Sequence, residues 1–252
     1  MASTTTVSKE DKINYLLYIA DTALILSHRN SEWCGHAPVL EQDIALTNIA
    51  LDLLGQARNF YQYAAELIGN NATEDSLAYL RLEHEYKNLL LAEQPNEDWA
   101  YTVLRQFYIS TFLFYLYQQL QQNEDEQVAA IAAKSIKEVA YHVRWSGEWV
   151  IRLGDGTKES NQRMQQALDY LKDYTGEIFI AANYEQAMQI DMATIQKKWE
   201  EKVADVLNEA TLSFSTNNFS HTGGKTGKHT EHLGYILTEM QYLQRTYPNA
   251  TW

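Results

Sequence analysis

The stretch from Pro38 to Gly69 constrains this chain more than any other. Apolar residues recur in it at helical spacing, as at Ile44, Leu46, Ile49 and Leu53, and proline and glycine stand at its two ends. Read as one helix, residues 38–69 would run roughly 48 Å at about 1.5 Å per residue. Helices of that length belong to bundles. Breakers are scarce everywhere, with 3 prolines and 11 glycines in 252 residues. The spacing predicts further helices over 11–28, 74–91, 97–122, 124–153, 158–184, 191–212 and 230–246, and no strand alternation appears. Leu16, Leu17, Ala20 and Leu24 carry the pattern in the first of them. The expected architecture is all-α: a four-helix core from 11–28, 38–69, 97–122 and 124–153, with later helices packed outside. Residues 1–252 are read as one domain with a loose tail over 1–11. Thr73, and Asn96 before Glu97, are candidate caps.

Charge and composition exclude some roles. A formal net charge of −13 disfavours nucleic acid or an anionic membrane as main partner. No apolar run reaches the length of a membrane span, and the opening residues lack a signal-peptide pattern. A single cysteine, Cys34, forbids an internal disulfide and fits a cytoplasmic setting. The 17 tyrosines and 6 tryptophans are expected to fill helix–helix contacts, with their hydroxyls reaching the rim.

Long bundles often carry two metal ions, held by a glutamate from each of two helices and Glu-x-x-His from each of the others. The spacing matters because residues i and i+3 share a helix face. Here the residues three before the seven histidines are Ile25, Trp33, Arg81, Val139, Asn218, Thr226 and His229, and none is acidic. The 99–123 segment has no carboxylate, and the first helix interior offers Asp21 alone. Glu138 and His142, one turn apart in KEVAYHVRW, read as a local pair. The alternatives are a mononuclear metal site with Asp52 or Asp21, and a partner contact.

Other motifs are weaker. GGKTGKHT at 223–230 misses the phosphate-loop pattern, yet Lys225 and Lys228 before a helix start would suit an anion such as coenzyme A, or contact with another polypeptide. A plain loop is the third option. His229 and His232 form His-x-x-His with Glu231 adjacent, too few ligands for zinc. Cys34 in EWCGHAP has His36 nearby but no orienting third group, and is read as a buried turn residue.

Four stretches carry a resemblance to a known family: SEWCGHAPVLEQDIALTNIALDLLGQARNFYQYAAEL (31–67), LLLAEQPNEDWAYTVLRQFY (89–108), AAKSIKEVAYHVRWSGEWVIRLGDGT (132–157) and HTGGKTGKHTEHLGYILTEMQYLQR (221–245). They resemble the PaaC family of bacterial phenylacetyl-CoA 1,2-epoxidase components, from about residue 12 to Trp252. The resemblance implies a ferritin-like fold and a structural subunit that has lost its metal site. It implies a catalytic partner, PaaA, that holds the di-iron centre, and a wider complex with PaaB and the NADPH-dependent reductase PaaE. That complex uses oxygen to epoxidise the ring of phenylacetyl-CoA during phenylacetate degradation. The second Glu-x-x-His of the catalytic relative falls on Val139 and His142. The first falls on Leu53 and Gln56, with Asp52 one residue away as the other register. The chain is then expected to hold no metal, cofactor or catalytic residue of its own, with a homodimer one arrangement open to it when alone. The competing reading is an active ferritin-like metalloenzyme with an unusual ligand set.

Overall fold

A computed structural model describes residues 7–214, 219–248 and 250. Among the described residues every regular element is a helix, and none is long and apolar enough to cross a membrane. Four long helices form the core: α1 (Lys9–Ser31), α2 (Leu40–Ile68), then, after a crossover carrying the short α3 (Glu74–Tyr79) and α4 (Leu90–Glu93), α5 (Trp99–Leu120) and α6 (Glu126–Gly154). Outside them lie α7 (Lys158–Leu171), α8 (Asn183–Ala187), α9 (Met192–Glu209) and α10 (Glu231–Thr246).

Side-chain contacts give the directions. Gln42 of α2 accepts from the indoles of Trp145 and Trp149, Asp52 meets His142, and Gln56 meets Glu138, so α2 and α6 are antiparallel. Ser27 donates to Ala50 O and Tyr61 to Asp21, so α1 and α2 are antiparallel too. Asn30 meets Gln106, and Trp33 meets Thr102, which sets α5 against α1. The order is therefore up, down, down, up. Its one long crossover, residues 69–98, is the connection of ferritin-like bundles.

Local chemistry explains the boundaries. Ser8 accepts from Asp11 N and starts α1, so residues 9–11 are helical rather than tail; residues 1–6 of the expected tail lie outside the described residues. Thr73 caps α3 with Ser76. Asp98, not Asn96, caps α5 by accepting from Ala100 N and Tyr101 N. Asp125 caps α6 and also accepts from Lys12 and Tyr63, tying the ends of α1, α2 and α6 together.

Two expected helices break. Segment 74–91 is helical only to Tyr79, then passes through a 3-10 turn at Glu83–Glu85. Beyond it the backbone serves distant side chains: Lys87 N donates to Asp21, Leu89 N to Thr22 and Leu90 N to Glu177. Segment 158–184 ends as an α-helix at Leu171, because Asp173 O accepts from His221 N and the Ser220 hydroxyl instead of continuing the helix.

The core is one continuous cluster of buried side chains. From Tyr15 to Ser27, α1 is buried on every side, since the crossover and α8 cover the face that α2 leaves open. The indoles of Trp33, Trp145 and Trp149 meet Trp99 edge to face at 5.2–6.0 Å. The tyrosines depart from expectation: the hydroxyls of Tyr15, Tyr18 and Tyr108 are buried without a hydrogen-bond partner rather than at the rim. Burial raises the pKa of all three.

Candidate functional site

The four positions that the family resemblance sets against metal ligands meet where α2 crosses α6. Leu53, Gln56, Val139 and His142 are all buried. Leu53 and Val139 are apolar and sit in the core cluster. The polar members are taken up in pairs. Gln56 Nε2 donates to Glu138 at 2.9 Å, while Gln56 Oε1 accepts from the Tyr117 hydroxyl at 3.2 Å. His142 Nε2 meets Asp52 Oδ2 at 3.0 Å. A carboxylate only accepts, so Nε2 carries the proton, and buried Nδ1 has no partner.

This arrangement corrects the local reading of KEVAYHVRW. Glu138 and His142 do not bond each other; each reaches across to α2. Asp21 takes no part, because it is fully buried against Arg81, Tyr61 and Lys87 N. Gln56 is matched to its place. Its neutral amide offers a donor to Glu138 and an acceptor to Tyr117, whereas a carboxylate there would repel Glu138. Burial, then the charge on Glu138, pushes the Tyr117 pKa up.

Among the described residues no three His, Cys, Asp or Glu side chains come together in a way that could hold a metal ion. The donor set does not fit a di-metal centre: two of the four aligned positions are hydrocarbon, a third is an amide, and the one imidazole is engaged by Asp52.

The 221–230 segment is the second candidate; residues 215–218 before it lie outside the described residues. Its amides do bind an anion, but the anion is the chain's own. Glu177 accepts from Gly223 N and Gly224 N, each at 2.7 Å, and from Leu90 N at 2.8 Å. Lys225 corrects the expectation of a coenzyme A contact. It is buried, with its ammonium on both oxygens of Glu185 and on the carbonyls of Ile178 and Ile180. Burial lowers its pKa, against the pull of Glu185. Lys228 alone stays exposed, on the rim of an open cleft of about 710 Å³ that also holds Lys87, Glu10 and Asp11. The close packing depends on glycine. A Cβ at Gly224 would strike Asn88 O, and Gly227, at φ +81°, lies against His84 O.

His229 and Glu93 complete the same clasp. Thr230 N and its hydroxyl donate to Glu93 Oε1, both at 2.7 Å, and so anchor the residue from which α10 starts. His229 reaches Glu93 through Nδ1 at 3.0 Å and Tyr86 O through Nε2 at 2.9 Å. Both neighbours are acceptors, so the doubly protonated ring satisfies both. Burial pulls the His229 pKa down, but the bond and charge of Glu93 and the Tyr86 carbonyl outweigh it, and the net shift is upward from 6.5. The stabilisation is therefore complete below about pH 6.5 and is lost as pH rises through the higher folded-state value. Urea unfolding is expected to show stability declining as pH rises above about 6.5, with His229→Asn flattening the dependence. An unchanged profile in the variant would assign the titration to another group.

Sequence reasoning missed Glu93, Glu177 and Glu185. The available signal was a lone acid within an apolar run, as in LLLAEQ (89–94) and GEIFIAA (176–182). Cys34, expected to be buried, is exposed in the turn after α1.

Comparison with known proteins agrees with this fold. Residues 1–252 match the PaaA_PaaC family, described as Phenylacetic acid catabolic protein. Over 243 residues the chain is 50% identical to the C-type component of the 1,2-phenylacetyl-CoA epoxidase of Escherichia coli (strain K12), covering 94% of this chain and 98% of that one. The four-helix core with one long crossover, the family match over residues 1–252 and the 50% identity over 94% of the chain place it in the phenylacetic acid catabolic protein family.

Proposed function

We propose that this chain is a structural, non-catalytic subunit of a phenylacetyl-CoA 1,2-epoxidase, and that it supports the di-iron protein PaaA within a complex that includes PaaB and the reductase PaaE. The observation that carries the reading is the α2–α6 crossing. Where a di-iron bundle needs converging carboxylates and imidazoles, this one has Leu53 and Val139, and its remaining polar groups bond one another. A chain that keeps such a bundle without donors would serve through its surface and rigidity. Lys228, free on the cleft rim, is the remaining candidate for contact with substrate or another subunit.

Anaerobic loading of the purified chain with ferrous iron tests the first half. Less than about a tenth of an iron per chain is expected, since binding needs three or four donors at about 2.0–2.2 Å. Near two irons per chain would sink the reading and make Glu138, His142 and Asp52 ligands of an active metalloenzyme. The second half predicts that adding this chain raises the melting temperature of PaaA, by linkage of binding to folding. PaaA that melts and turns over identically alone would remove the supporting role.

A further inference from the structure

Most of the 12 lysines have a plain use. Lys12, Lys172, Lys197 and Lys225 pair with carboxylates, and most of the others stand in open water. Lys87 does neither. It is half-buried in the wall of the 710 Å³ cleft, and among the described residues its ammonium meets no carboxylate and no hydrogen-bond acceptor. It faces the ring of Tyr184, whose centre is 5.8 Å away. The nearest buried acid is already in use: Asp21 is shared by Arg81, the Tyr61 hydroxyl and the backbone amide of Lys87 itself. Of the two acids in the cleft, Asp11 accepts from the Ser8 hydroxyl, and neither it nor Glu10 forms an ion pair with Lys87.

An unpaired, partly desolvated ammonium gives up its proton more readily than one in water. Burial lowers the Lys87 pKa; Asp21 opposes that shift and the like charge of Arg81 adds to it. The neutral amine so favoured is a nucleophile. Lys225, in the same cleft, is closed to such chemistry because Glu185 and two carbonyls hold its ammonium. The surroundings of Lys87 suit an acyl group. Ile180, Ala181, Ala182 and the Tyr184 ring line the cleft with it, and Ile180 is 55% exposed with nothing covering it. The backbone of Lys87 is fixed by Asp21 and by its buried neighbours Tyr86 and Asn88, so the side chain extends from a held segment.

We propose that Lys87 is a modification site that takes an acyl group from an acyl thioester in the cleft. Its nitrogen attacks the thioester carbonyl carbon. A C–N bond forms, the C–S bond breaks, and the departing thiolate takes up the proton that the amine loses. The products are an amide on Lys87 and a free thiol, and no oxidant or reductant is needed. The amide removes a positive charge from beside Arg81. An arylacetyl thioester is the donor at hand in the proposed complex. That choice of donor rests on the epoxidase reading, whereas the reactivity of the amine does not.

Incubating the full chain with phenylacetyl-CoA, then measuring intact mass and mapping peptides, tests the site. Lys87 is expected to be acylated about tenfold faster than any exposed lysine. In denaturing urea the preference should vanish, because the cleft that creates it is gone. Lys87→Arg keeps the charge and should cut early acyl uptake about tenfold, since guanidinium stays protonated. Labelling spread evenly over the exposed lysines, a preference for Lys87 that survives in urea, or unchanged uptake by Lys87→Arg would overturn the proposal. An acetyl thioester separates the acceptor from the donor. Selective labelling of Lys87 by it, in a chain that fails the iron and PaaA tests, would uphold the acceptor and remove only the arylacetyl donor that the epoxidase reading supplies.

Discussion

Replacing Arg81 with methionine is expected to destabilise the fold by about 3–5 kcal/mol, because it strands a buried carboxylate. Asp21 sits in the middle of α1, fully buried, and Arg81 enters from the crossover to meet it with both terminal nitrogens. The rest of the guanidinium is used as well. Nε donates to Leu77 O, Nη1 also reaches Glu85 O at 3.0 Å, and Cζ lies 4.2 Å from the centre of the Tyr86 ring. Burial alone would lower the Arg81 pKa, but the charge of Asp21 overrides it and the net shift is upward. Without Arg81 the carboxylate keeps only Tyr61 and Lys87 N as donors. Calorimetry should show the melting temperature falling by about 6–20 °C, at roughly 2–4 °C per kcal/mol for a chain of this size. Adding Asp21→Asn should recover part of the loss, since a neutral amide still accepts from Tyr61. A double variant as damaged as the single one would place the cost in packing rather than in the unpaired charge.

The second large effect is expected at Glu177. Its carboxylate is the shared acceptor of Leu90 N, Gly223 N and Gly224 N, so Glu177→Ala leaves three backbone donors unpaired at once. At about 1–3 kcal/mol for each buried orphan, a total loss of about 3 kcal/mol or more follows. Glu177→Gln keeps one carbonyl oxygen and should fall between the parent and the alanine variant. Hydrogen exchange distinguishes this from a general loss of stability. Amides of 222–230 should exchange faster in the alanine variant under native conditions, while those of α5 and α6 stay protected. Uniform acceleration would mean that Glu177 does not hold the loop.

The long helices were legible because their ends are marked by local chemistry. Gly69 closes α2 with φ +73°, and the range 38–69 differs from Leu40–Ile68 only at its edges. The stretch 80–91, by contrast, has apolar residues at helical spacing and is not α-helical until Leu90. Its amide groups are claimed by Asp21, Thr22 and Glu177, and the last of these stands 87 positions from Leu90. No window of sequence contains that competition. The site divides in the same way. The absence of an acid three before any histidine could be read directly. The link from His142 to Asp52 spans 90 positions and needed the register of α2 on α6. Lys225 misled because a lysine in a glycine-rich turn looks solvent-facing until Glu185 is placed over it.

The clasp that joins Glu93 to Thr230 bridges 137 positions of chain. Contacts that distant are closed only after the intervening helices have docked, since loop closure must be offset before such contacts stabilise anything. The clasp therefore belongs to the last stage of assembly. Substitutions in it should leave the folding rate nearly unchanged and act on the rate of opening. In a cell, that makes this small set of buried acids the timer for how long a finished subunit stays closed.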